Sequence, residues 1–249
     1  MEAKPKIIEL IGVSASGKST FADFVFSSSS DYDNIETAAF RGLLYHQDIK
    51  IPCKSLLKLV PTRLAYKLRL TKICDLYRDQ LLAKSKNPET SKWLEFALKS
   101  TSDVEDFTVA KTILITKLIK NITDYELIMS PVNNGRIILA DEFFLQKIFS
   151  LQSNDDEVFE LLGMINYDLD LLLKFEVDAD LSLERLRQRL AGRNSDIRQI
   201  NNEKLLDRIK RSQHTTNIIE SELRNKNVKT FVVNNESNNK QILSKLKEI

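Results

Sequence analysis

The chain has 249 residues, 42% of them hydrophobic and 29% charged, and its 37 basic and 35 acidic side chains leave a formal net charge of only +2. That is the composition of a folded globular protein long enough to bury one large core, and near-neutrality gives nucleic acid no electrostatic claim on it. No window approaches the ~20 apolar residues of a membrane-spanning helix, so a cytoplasmic protein is expected. Cys53 and Cys74 have neither CxxC spacing nor a histidine at ligand spacing, and reduced structural thiols are expected of them.

The first element is the apolar run Lys6 to Val13, read as a strand. It runs into Gly12-Val13-Ser14-Ala15-Ser16-Gly17-Lys18-Ser19, which meets the pattern GxxxxGK[ST] at every fixed position. Glycines at those points let the backbone turn tightly, so that successive N–H groups face phosphate oxygens at the positive end of the following helix. Gly12, Ser14, Ala15, Ser16 and Gly17 are expected to form that cradle. Lys18 is expected to reach the β- and γ-phosphates of ATP, Ser19 to offer its hydroxyl to Mg²⁺, and Thr20 to give a further hydroxyl to the phosphates.

A helix is predicted from Gly17 to Val25, then a loop over the serine run Ser27 to Ser30, then a second strand from Asn34 to Phe40 that Glu36 and Thr37 interrupt. Residues 43–130 carry no strand pattern. They read as a helical insertion with helices over Lys54 to Leu70, Lys72 to Ala83, Ser91 to Lys99 and Val104 to Ile122, the first of them cut in two by Pro61. From Ile49 through Cys74 this insertion has seven basic residues and no acidic one, interleaved with leucines. Three readings stand together there: core-facing helices with snorkelling lysines, a collector of an anionic substrate, or a peripheral contact with a membrane or a lipid-linked substrate.

After a turn from Pro131 through Gly135, the third strand, Arg136 to Asp141, ends in two carboxylates. Asp141, the second nucleotide-site signal, is expected to hold Mg²⁺. Glu142 either activates an acceptor hydroxyl as a general base or opens the next helix, where an acidic side chain suits the dipole. The run Asp155-Asp156-Glu157 reads as a helix start for the same reason. A fourth strand, Leu171 to Val177, leads into an amphipathic helix with Leu183, Leu186 and Leu190 on one face and Arg185, Arg189 and Arg193 recurring at every fourth residue on another. Arg189 and Arg193 are expected to close over a transferring phosphoryl group as part of a lid over 185–202, which also holds Arg198. A fifth strand, Val228 to Asn234, is followed by a helix. His46 and His214 are solitary, and Trp93 lies in a helical pattern. Strands alternating with helices predict one α/β domain over 1–249, with ligands beyond the carboxyl ends of the strands.

The loop Gly12 to Thr20, the strand end Leu139-Ala140-Asp141-Glu142, the arginine helix and the terminal Phe231-Val232-Val233-Asn234-Asn235 together resemble a P-loop kinase, nearest to the thymidylate-kinase-like branch. The resemblance covers roughly the first 50 and the last 115 residues. It implies a three-layer P-loop NTPase fold with a five-stranded parallel sheet in the order 2-3-1-4-5, Mg-ATP as phosphoryl donor, Lys18 and the lid arginines on the phosphoryl group, and the loop Asn234 to Ser237 beside the adenine. Thymidylate kinases carry an Asp-Arg pair where this chain has Asp141-Glu142, and the acidic-Arg-Ser signature of deoxynucleoside kinases is also missing. Arg41 stands as the candidate for an anionic acceptor.

The expected function is therefore ATP-dependent phosphoryl transfer to a hydroxyl or phosphate of a small molecule. The alternatives are a P-loop NTPase that switches a partner by hydrolysis and a nucleotide-binding scaffold. The base-reading motif NKxD of a guanine switch protein is absent, since Asn239-Lys240-Gln241-Ile242 lacks the aspartate, and retention of Lys18 and Ser19 argues against a dead scaffold.

Overall fold

Five strands lie side by side, all parallel, in the spatial order β2-β3-β1-β4-β5. The computed structural model describes residues 3–85, 92, 95, 109–148, 154–164, 168–191, 201–234 and 238–246. The strands are β1 (Lys6–Gly12), β2 (Tyr32–Asn34), β3 (Ile137–Asp141), β4 (Leu171–Phe175) and β5 (Lys229–Val233). β1, β3 and β4 form the buried centre. β2 is three residues long and β5 is half exposed, as the short, partly uncovered edges of a sheet are.

Alternation along each strand sorts the core into two layers. Ile7 and Ile11 of β1, Ile138 and Ala140 of β3 and Leu172 of β4 face one side. There they meet α2 (Ile35–Tyr45), α7 (Val109–Ile128), α8 (Phe144–Ile148), α9 (Asp155–Met164) and α11 (Asn202–Asn225). Ile8 and Leu10, Leu139, and Leu171 and Leu173 face the other side, against α1 (Lys18–Ser28) and α12 (Asn239–Leu246). The sheet is thus covered by helices on both faces. Between β4 and α11 lies α10 (Ala179–Ala191).

The expected strand over Asn34 to Phe40 is instead the start of α2. Asn34 caps that helix, its side-chain oxygen accepting the Thr37 N–H at 2.9 Å. The run 37–40 is buried throughout because the sheet lies on one side of the helix and α7 and the helices before it on the other. A helix buried all round shows no periodicity by which to tell it from a strand. α1 also runs past Val25 to Ser28, so the serine run begins inside a helix.

Between α2 and α7 the chain makes short helices: α3 (Lys54–Lys58), α4 (Thr62–Lys67), α5 (Ile73–Leu76) and α6 (Arg78–Lys84). Pro61 separates the first two, as expected, and Tyr77 breaks the expected Lys72 to Ala83 helix. They bury Ala65, Cys74 and Leu81 against the outer face of α2. Of the expected helix Ser91 to Lys99 only Lys92 and Glu95 are described, both helical, and Trp93 and residues 104–108 lie outside the described residues. Asn133 ties this region together. Fully buried, it donates to the carbonyls of Ala38, Leu127 and Ile128 at 3.0–3.1 Å. α9 opens as expected on its acidic run, with Asn154 and Glu157 exchanging side-chain-to-backbone hydrogen bonds at 2.9 and 3.0 Å.

Candidate functional site

The loop between β1 and α1 folds tightly against β4. Gly12 has φ +149°, and a Cβ at that position would stand 2.5 Å from the Phe175 carbonyl oxygen and 3.0 Å from Ser16 Oγ, so only glycine fits. Ala15 is left-handed at φ +62°, and Gly17, at φ +101°, caps α1. Left-handed residues inside a turn are what gathers successive N–H groups into an anion-binding concavity.

Lys18, the first residue of α1, folds back over this loop. Its ammonium donates to the carbonyls of Gly12 at 2.7 Å and Val13 at 2.9 Å, with Ser16 Oγ at 3.4 Å. The side chain is buried, and burial pushes the ammonium pKa down to about 8, against the opposing pull of Asp141 and Glu142.

Asp141 ends β3 in register with Leu10 of β1, which brings it to the same end of the sheet as the loop. Burial pushes its carboxyl pKa up, while a hydrogen bond from the Ser19 hydroxyl and the charge of Lys18 pull it down. Its Oδ1 is buried with no hydrogen-bond partner among the described residues. An acceptor left in that state costs about 1–3 kcal/mol unless a donor or cation meets it. The Ser19 hydroxyl and the Asp141 carboxylate are hard oxygen donors side by side, a set that fits Mg²⁺, which usually takes one or two protein oxygens and fills its shell with phosphate oxygens and water. Lys18, Ser19 and Asp141 are thus brought together as expected.

Three supporting residues escaped the sequence reading. Gln146 of α8 clamps both backbone groups of Gly12, accepting from its N–H at 3.3 Å and donating to its carbonyl at 3.1 Å. Glu9, fully buried in the middle of β1, accepts the N–H groups of Leu145 at 2.7 Å and Gln146 at 3.3 Å, fixing the start of α8. Ser182 of α10, also fully buried, donates to the Ser14 carbonyl at 2.7 Å. Glu9 was visible as a charge interrupting an apolar strand, whereas Gln146 and Ser182 left no signal in spacing or composition.

Glu142 does not open α8. It lies with Phe143 between β3 and the helix, at φ +56°, its side chain 62% exposed and 3.3 Å from the buried ammonium of Lys147. Burial pushes the Lys147 pKa down, with Glu142 opposing. Thr20 is exposed on α1. Arg189 is exposed on α10, close enough for its charge to be felt at Lys18. Arg187 donates to Asn202 Oδ1 at 2.8 Å, which links α10 to α11. Arg193 and Arg198 lie outside the described residues, as do Asn235 to Ser237. Asn234 lines a cavity of about 530 Å³ beyond the ends of β4 and β5, with Val13, Phe175 and Val177.

Arg41 is not available to an acceptor. It is held by Asp33 at 2.9 and 3.1 Å and by Asn133 Oδ1 at 2.9 Å, a buried brace between β2, α2 and the turn before β3. Beside it lies a second cavity, of about 370 Å³, that opens onto Asp141 and Glu142 and is walled by α1, β2, the start of α2, Tyr66 of α4 and residues of α7. Leu57, Val60 and Leu70 pack inward, while Leu56, Leu59, Leu64 and Leu68 are exposed. His214 faces Asp155 at 3.0 Å on the surface. Cys53 is exposed, Cys74 is buried, and both are free thiols. Among the described residues no helix is long and apolar enough to cross a membrane.

No protein-family model matches this chain, and no curated protein matches it.

Proposed function

We propose that this chain is a Mg²⁺-dependent phosphotransferase of the P-loop kinase type, which moves the γ-phosphoryl group of ATP to a small-molecule acceptor in the cytoplasm. The observation that carries the reading is the convergence of Lys18, Ser19 and the unpartnered Asp141 Oδ1 around a loop whose first glycine admits no side chain. The sheet order 2-3-1-4-5 is the one that the resemblance implies.

In this reading the loop N–H groups and Lys18 bind the donor phosphates, and Ser19 and Asp141 would hold the cation, which would supply charge neutralisation at the phosphates. Gln146 and Ser182 keep the loop in shape, and Arg189 adds positive charge near Lys18. The acceptor oxygen bonds to the γ-phosphorus as the bond to the β,γ-bridging oxygen breaks. ADP leaves with that electron pair, and the acceptor proton passes to the Glu142 carboxylate. Positioning and charge neutralisation supply most of the acceleration in such transfers.

The test is titration of a fluorescent ATP analogue with Mg²⁺ and with chelator, for the parent protein and for Asp141→Asn. Binding that is tighter with Mg²⁺, a gain that the variant abolishes, is expected. Vigorous acceptor-independent hydrolysis would instead favour the switch NTPase, and absence of nucleotide binding would end the reading.

A further inference from the structure

We infer that the acceptor is an uncharged, hydroxyl-rich molecule of one or two rings, seated in the 370 Å³ cavity and recognised by Asn121 and Tyr32. The inference rests on the phosphotransferase reading, because it is Asp141 and Glu142 that make one wall of the cavity the reacting end.

The described residues contain four buried side-chain polar atoms with no hydrogen-bond partner, and three of them, Tyr32 Oη, Asn121 Nδ2 and Asp141 Oδ1, belong to residues that line this one cavity. Tyr32 is 1% and Asn121 6% exposed. Buried polar groups are nearly always satisfied, and each exception calls for an explanation. Their chemistry is complementary. Asp141 Oδ1 is taken by the cation in the proposed reaction, which leaves Asn121 Nδ2, which can only donate, and the Tyr32 hydroxyl, which does either. A ligand hydroxyl also does either, so two on one ring meet both.

The charges disfavour a phosphorylated acceptor. Asp23, Asp33, Glu36, Asp124, Asp141 and Glu142 line the cavity against Lys117, Lys120 and Lys147, and among the described residues no arginine lines it. Lys120 is paired with Asp124 at 2.8 Å and Lys147 with Glu142 at 3.3 Å, while Arg41 behind the wall is spent on Asp33. Lys117 is exposed. A phosphate monoester is ordinarily gripped by a guanidinium fork or several free donors, and among the described residues this wall offers neither. Exposed Asp23 and Glu36, both near enough to Tyr66 to be felt by its hydroxyl, would repel one and can accept hydroxyls instead. Phe26 and Tyr66, edge to face at 5.3 Å, supply an apolar surface for a ring. The volume lies at the small end of the roughly 300–1,000 Å³ of ligand pockets, which suits a nucleoside or a monosaccharide rather than a lipid-linked chain.

The test is calorimetric binding of nucleosides, monosaccharides and the monophosphate of each to the full chain without ATP, followed by phosphoryl transfer with Mg-ATP. Expected are binding of an uncharged member, with the nucleoside and sugar arms telling the two sources apart, and transfer to it. Asn121→Leu should weaken that binding roughly tenfold, as loss of one buried hydrogen bond does, with affinity for the ATP analogue unchanged. Tyr32→Phe serves as a second variant if Asn121→Leu does not fold. Binding of phosphorylated members only, or of none, overturns the inference and leaves the phosphotransferase reading standing. Binding of an uncharged member by a protein that does not bind nucleotide does the reverse.

Discussion

Tyr32→Phe should make the ligand-free protein more stable, the opposite of what removing a buried polar atom usually does. The ring sits in the core layer with Ile8, Phe21, Val25 and Leu139, and phenylalanine keeps that packing. Only the hydroxyl is lost, and in the parent it is out of water with no partner among the described residues, a state that also raises the phenol pKa by desolvation. Restoring solvation to an orphaned group of this kind is worth about 1–3 kcal/mol. For a chain this long each kcal/mol moves the melting temperature by roughly 2–4 °C. A rise of a few degrees in calorimetric Tm is therefore expected, without the acceptor-induced stabilisation that the parent should show. A fall in Tm of similar size would refute the reasoning, because it would mean that the hydroxyl is already satisfied and that Tyr32 is an ordinary part of the wall.

Two further outcomes follow from the geometry. The buried Lys18 ammonium has a pKa of about 8 against 10.5 in the unfolded chain, so between those values the unfolded state holds more protons and the stability of the free fold rises with pH. Phosphate binds the charged form, so nucleotide affinity should fall above about pH 8, by up to tenfold per unit. Binding at about pH 8.5 should also take up protons, seen as a calorimetric heat that depends on buffer ionisation, and no such dependence would count against this electrostatic picture. Gly42→Ala should be severely destabilising: a Cβ there would lie 2.7 Å from the Leu127 carbonyl carbon and closer still to its oxygen, where α2 crosses α7. With backbone on the other side the cost falls at the upper end of the roughly 1–3 kcal/mol typical of overpacking. A Tm within a degree of the parent would show that the two helices cross elsewhere.

What was readable in the chain was what is local in it. Gly12 to Ser19 is one contiguous loop whose residue types follow from its backbone, and Asp141 marks the end of an apolar strand, so both stood out by spacing. The buried centre of the sheet was legible in β1, β3 and β4 because continuous apolar runs are how strands covered on both faces read, but the similar run of β5 belongs to a half-exposed edge strand. α2 was not, because its burial on all sides hides the period of a helix, and its one local sign, Asn34 three residues before Thr37, resembles any polar pair. The acceptor cavity was illegible for another reason. Its walls come from α1, β2, α2, α4, α7 and the end of β3, and no spacing in sequence links Tyr32 to Asn121 or either to Asp141. Arg41 shows the converse error, an arginine in the expected place whose charge Asp33, a residue with no motif around it, already consumes.

The brace that Lys18 forms across Gly12 and Val13 has a consequence for how the protein is probed. In the free protein the ammonium is held by the Gly12 and Val13 carbonyls, so the loop is self-contained at rest and nucleotide must compete with two carbonyls for the same cation. Deleting Lys18 therefore removes a rung of the apo structure as well as a ligand contact, and an inactive Lys18→Ala protein would not by itself separate lost chemistry from a slackened loop. Asp141→Asn leaves the brace in place, which makes it the cleaner instrument.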